Sequence, residues 1–179
     1  MKKSNLKKIV LAAIFAALIT VTTAVVKIPI GINDGYVHLG DAVIYLAGCL
    51  LGPYGAIAAS IGGALADILV GAAIWAIPTA IIKPLNCLPF IIATSNYVKH
   101  KGTHKIIHPS TVLMTVVSGV ITTVGYFIAE GIMFTFESAA ATLLFGLAQP
   151  IGSAIVFVLV GFALDKVNIQ KYLEQGERK

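Results

Sequence analysis

Apolar runs separated by short polar breaks organise this chain. They cover about residues 6–28, 39–52, 54–70, 78–98, 110–130 and 139–164. A helix that crosses a bilayer needs roughly 20 apolar residues. The first run reaches that length, while the second is short for a span. Gly52-Pro53 separates the second run from the third and predicts a tight helical hairpin there, which argues against fusing them into a four-span arrangement. Pro84 and Pro89 are expected to break the fourth run. The pattern predicts an all-α integral membrane protein, a single domain over residues 1–179 with six transmembrane helices.

Composition supports this placement. Hydrophobic residues make up 58% of the 179 positions and charged residues 12%, about half the 25% usual in a soluble domain, and mean hydropathy is +0.91. Such a surface faces something other than water. The start, Met1 to Lys8, resembles the basic head of a signal peptide. No convincing small-residue cleavage site follows, so the run is read as a mature helix. The net charge of +5 lies mainly in three segments. Lys2, Lys3, Lys7 and Lys8 form the first, Lys99, Lys101 and Lys105 the second, and Lys166, Lys171, Arg178 and Lys179 the third. That distribution suits the positive-inside rule better than a nucleic-acid surface, and it predicts cytoplasmic N- and C-termini. Cys49 and Cys87 sit in apolar runs without metal-ligand spacing and are read as packing residues.

With this topology the outer loops are residues 29–38, 71–78 and 130–138, and most polar residues of the apolar runs lie near them. Asn33, Asp34, Tyr36, His38 and Asp41 occupy the first loop and the start of the second span. Asp67 is one turn before Gly71, and Lys83 and Asn86 follow Pro78 on one side of the fourth span. Tyr126 and Glu130 end the fifth, and Gln149 lies about 15 Å into the sixth. An ionised group facing hydrocarbon costs roughly 2.5–3.5 kcal/mol or more, so these groups should face a cavity open to the outside. Tyr36, Trp75 and Tyr126 would supply its aromatic wall, and Lys83, Asn86 and Gln149 its donors.

Structural readings compete for several of these residues. Asp67 and Lys83 either neutralise each other or leave Lys83 for a ligand. His38 and Asp41 could pair locally, Trp75 suits an interfacial belt, and Glu130 suits a cap at the water boundary. His100, His104 and His108 read as a solvated basic loop and not as a metal site. Ala12, Ala13, Ala16 and Ala17 form two overlapping small-xxx-small pairs near the cytoplasmic end of the first span, where another helix could approach closely. The chain has no Walker A loop, no nucleophile–base arrangement and no metal-binding helix, so neither an enzyme nor a resident cofactor is expected.

Several strings resemble a known family. Gly35-Tyr36-Val37-His38-Leu39-Gly40-Asp41-Ala42, Leu51-Gly52-Pro53-Tyr54-Gly55, Ala64-Leu65-Ala66-Asp67, Ile74-Trp75-Ala76, Ile81-Ile82-Lys83 and Gly125-Tyr126-Phe127-Ile128-Ala129-Glu130 are similar to the S components of energy-coupling-factor (ECF) vitamin transporters. The likeness is to the riboflavin-type branch, which includes S components assigned to hydroxymethylpyrimidine or pyridoxine. It covers essentially the whole chain. One departure is at Phe145-Gly146-Leu147-Ala148-Gln149-Pro150, where members often carry Asn before the Gln. The resemblance implies six helices, a multi-pass protein of the bacterial cell membrane, and a vitamin held near the external face. It also implies docking of Ala12, Ala13, Ala16 and Ala17 onto a membrane coupling subunit, with two cytoplasmic ATPases supplying energy.

Together these readings predict a binding subunit for a small heterocycle, with Asn33, Tyr36, His38, Asp41, Trp75, Lys83, Asn86, Tyr126, Glu130 and Gln149 as candidate contacts. Pyridoxine or hydroxymethylpyrimidine ranks ahead of riboflavin, pantothenate or folate. The competing class is a self-sufficient proton-coupled carrier that uses Asp67, Lys83 and Glu130 as a relay.

Overall fold

A computed structural model of the chain describes residues 3–101 and 105–169. His104 and the terminal charges Lys2, Lys171, Arg178 and Lys179 lie outside the described residues. Helix α1 runs Lys3–Val25, followed by β1 (Lys27–Pro29) and β2 (Tyr36–His38). Then come α2 (Gly40–Leu51), α3 (Pro53–Leu69), a 3-10 turn (Ala73–Trp75), α4 (Ala76–Lys101), α5 (Pro109–Met133) and α6 (Phe136–Lys166). Helices α1, α5 and α6, together with the segment Ala73–Lys101 that contains α4, are long and apolar enough to cross a bilayer, whereas α2 and α3 have only 12 and 17 residues.

The short α2 is held by its surroundings. Ten of its 12 residues are buried, as suits a helix that is apolar on all sides. It packs against α1, α3, α4 and α6. Tyr45 stacks on Phe90 of α4 with ring centroids 4.4 Å apart, and both meet Phe157 of α6 edge-on. Lipid-facing positions carry the opposite pattern, with Ile14, Leu18, Val116, Val120, Ile151 and Ile155 all exposed. Polar groups such as Asp41, Lys83, Asn86 and Ser153 are fully or almost fully buried. The molecule therefore places apolar groups outside and much of its polarity within.

The break between α2 and α3 falls where the sequence put it. Gly52 has φ 57°, and Pro53 opens α3 at a position that needs no helical N–H. The expected break in α4 does not occur, since the helix continues through both Pro84 and Pro89. Pro84 deprives the Ala80 carbonyl of its helical donor, and the Ser60 hydroxyl of α3 donates to that carbonyl at 2.8 Å. A neighbouring helix thus supplies what the proline removed.

Two further differences concern the loops. Residues 27–38 form an antiparallel hairpin in the register Lys27↔His38, Ile28↔Val37 and Pro29↔Tyr36. Its turn uses left-handed backbone at Gly31, Asn33 and Asp34, which glycine, asparagine and aspartate tolerate best. Residues 71–78 are largely ordered by the 3-10 turn and the first turn of α4.

Helices α1 and α3 approach closely. A Cβ on Gly62 would lie 2.5 Å from the Ala16 carbonyl oxygen, and the Thr20 hydroxyl is 2.9 Å from both the Ala16 and Gly62 carbonyl oxygens. Ala12 and Ala16 are consequently buried inside the bundle, while Ala13 and Ala17 remain exposed.

Candidate ligand cavity

Helix ends converge beneath the hairpin to form a cavity. Asp67 comes from the end of α3, Trp75 from the 3-10 turn and Thr79 from the start of α4. Helix α5 contributes Thr122, Thr123, Tyr126 and Glu130, and α6 contributes Thr142, Gly146 and Gln149. The hairpin closes the space with Ile30, Ile32, Tyr36 and His38. About 740 Å³ of empty space lies within these walls, including part that opens to solvent.

Aromatic rings form one wall. Trp75 and Tyr126 have centroids 5.9 Å apart at 56°, leaving ring surface for a flat ligand. Trp75 is not a belt residue here. It is 6% exposed, lines the cavity and donates from Nε1 to the Asn33 carbonyl oxygen at 2.9 Å.

The hairpin is fastened to the walls on both sides. The Asn33 amide nitrogen donates to Glu130 Oε1 at 2.7 Å and to Ser138 Oγ at 3.0 Å, so Asn33 links its loop to α5, α6 and the 3-10 turn. Glu130 is 6% exposed, and its second oxygen accepts from Thr142 at 2.6 Å. It is therefore built into the wall and is not a cap at the water boundary. Tyr36 donates its hydroxyl to Asp67 Oδ1. Burial, and after it the neighbouring Asp67 carboxylate, raises the Tyr36 phenol far above its ordinary pKa, so it stays a donor.

Lys83, the cation expected at the site, is committed elsewhere. Lys83 Nζ pairs with Asp41 Oδ1 at 2.6 Å, with the two side chains 1% and 0% exposed. Gln149 Nε2 donates to Asp41 Oδ2 at 2.8 Å, and Lys83 Nζ lies 5.1 Å from the Tyr126 ring centroid. The partner of Lys83 is thus Asp41 and not Asp67. Neither Asp41 nor Lys83 lines the cavity. Their charges neutralise each other behind it, and Gln149 and Tyr126 connect the pair to the wall.

His38 also differs from the local pair expected with Asp41. Its Nδ1 accepts the Gly40 N–H at 3.0 Å, which requires the unprotonated ring. Burial, then the Lys83 charge, lowers its pKa to about 3, against an opposing effect from Asp41. His38 is therefore a neutral wall residue. Asn86 is fully buried and lies outside the lining, near Tyr45 in the core.

The structure thus gathers Tyr36, His38, Trp75, Tyr126, Glu130 and Gln149 around one cavity. Asn33, Asp41 and Lys83 stand behind its walls or across its top, and Asn86 stands apart. The candidate contacts had not included Asp67, Thr79, Thr122, Thr123 or Thr142. The adjacent Thr122-Thr123 pair inside an apolar run was the signal available for two of them.

Among the described residues no group of three His, Cys, Asp or Glu side chains could hold a metal ion. The sequence profile of the family described as ECF-type riboflavin transporter, S component, matches residues 3–172. The chain is also similar to a Pyrococcus woesei protein described as an uncharacterized protein in the gap 3′ region. The two are 31% identical over 152 residues, which is 83% of this chain and 95% of that one.

Proposed function

The chain belongs to the ECF-type riboflavin transporter S-component family, and on that premise we propose that it captures one small, flat, polar heterocycle from outside the cell. Membership makes it a multi-pass membrane protein and the substrate-binding subunit of a transporter, not an enzyme. On our reading, pyridoxine or hydroxymethylpyrimidine ranks ahead of riboflavin, pantothenate or folate. The ligand stacks against Trp75 and Tyr126, and Tyr36, Glu130 and Gln149 read its polar groups.

The supporting observation is an aromatic-walled cavity with converging polar groups, closed by a hairpin tied to four other elements. Helices α2 and α3 complete six crossings, and both termini lie on the cytoplasmic side. Delivery then requires a membrane coupling subunit and two cytoplasmic ATPases, because this chain carries no nucleotide-binding motif.

The test uses the single tryptophan of the chain, Trp75, as a built-in reporter. Protein purified in mild detergent should release about one equivalent of a heterocycle to mass spectrometry, as a single enclosed site requires. Adding that compound back to ligand-free protein should change Trp75 emission without ATP. Purified protein that carries no small molecule and shows no fluorescence response to the vitamins named would refute the proposal.

A further inference from the structure

The cavity wall carries two carboxylates and, among the described residues, no lysine or arginine. Asp67 and Glu130 both line it, and neither forms an ion pair among the described residues. Lys83 is bonded to Asp41 at 2.6 Å and reaches Asp67 only at longer range. His38 is neutral, since its Nδ1 accepts a backbone N–H.

Hydrogen bonding has the same polarity. Both Glu130 oxygens are supplied by protein donors, Asn33 and Thr142. Asp67 accepts from Tyr36 at Oδ1, but its Oδ2 has no partner although the residue is only 4% exposed. Thr79 lies near this carboxylate, with its hydroxyl 2.9 Å from the Tyr126 hydroxyl, and no donor, Thr79 included, reaches Oδ2 within hydrogen-bonding distance. The Thr122 and Thr123 hydroxyls line the same cavity and are also unpartnered. Pro150 withdraws the helical donor of the Gly146 carbonyl, another lining residue.

A desolvated carboxylate without a counter-charge is unfavourable. A ligand with an N–H group or a positive charge relieves it. An anionic ligand would face two carboxyl groups with no lysine or arginine beside them in the lining, in a medium where Coulomb forces are strong. Taking the cavity as the vitamin site, on which this step rests, we infer that its ligand is a neutral or cationic aromatic heterocycle that places an N–H donor on Asp67 Oδ2. Carboxylated and phosphorylated heterocycles are excluded by charge.

The experiment compares charge variants on shared scaffolds, by Trp75 fluorescence and calorimetry on ligand-free, detergent-solubilised protein. The probes are pyridoxamine, pyridoxine and 4-pyridoxic acid; hydroxymethylpyrimidine and its phosphate; thiamine and thiamine monophosphate; riboflavin and its 5′-phosphate; with folate and pantothenate as further anions. On whichever scaffold binds, the acidic member should bind at least about tenfold more weakly than its neutral or cationic counterpart. Asp67→Asn should shrink that gap, and if this variant does not fold, the wild-type comparison alone decides. An acidic probe that binds as tightly as its counterpart, or a gap unchanged in a folded Asp67→Asn protein, overturns the charge assignment and leaves the binding-subunit reading standing. If no probe on any scaffold binds, both fall together.

Discussion

Lys83 and Asp41 show how one buried pair can shape a site without lining its cavity. Both are almost completely buried, so removing either partner strands a charge and should destabilise the protein by about 3–5 kcal/mol. Lys83→Met and Asp41→Asn are each expected to lower the unfolding midpoint in detergent. The double variant should lose less than the sum, because it leaves no stranded charge.

His38 gives a second expectation at this scale. Its folded pKa lies near 3, below the unfolded value of about 6.5. Its contribution to stability is therefore present above pH 6.5 and is lost as pH falls towards 3. At pH 5 the loss should reach about 2 kcal/mol, measured as a falling unfolding midpoint. His38→Gln should flatten that slope.

At the scale of elements, α4 depends on its neighbour. The helix runs through Pro84 because the Ser60 hydroxyl supplies the Ala80 carbonyl from α3. Ser60→Ala should cost about 1 kcal/mol, the usual net value of such a bond, and should loosen α4 at the turn that carries Thr79 and Lys83. Ligand affinity should fall with it, while Ser60→Thr should retain most of both. The hairpin illustrates the same principle outside the helices. Its two three-residue strands are too short to stand alone, and its position comes from Asn33 and Tyr36 binding to α3, α5, α6 and the 3-10 turn.

For the whole molecule, the division between internal packing and external contact is clearest on α1. Ala16 is used against α3 and Ala12 is buried within the bundle, which leaves Ala13 and Ala17 for any partner helix. Ala13→Trp should therefore abolish uptake in cells that contain the coupling subunits, while purified protein still binds its ligand. Loss of binding in that variant would place Ala13 in the fold and not in docking. The geometry suits a division of labour, with the cavity at the end where the hairpin lies and the exposed alanines near the middle of α1.

The hydrophobic period and the placement of Gly, Pro and Lys determined the helical class, the α2–α3 hairpin and the presence of a polar cluster near certain helix ends. Those features depend on neighbours in the chain or on the solvent each segment prefers, so they are written locally. Pairing within the cluster was decided in three dimensions. Asp41 and Asp67 are both plausible partners for Lys83 by depth, and only the packing of α2 against α4 and α6 delivers Lys83 to Asp41 and leaves Asp67 facing the cavity. The continuity of α4 was likewise hidden, because the donor that rescues Pro84 comes from residue 60. A sequence states which groups need partners; the fold selects the partners, since hydrogen bonds and ion pairs depend on distances that helix packing sets.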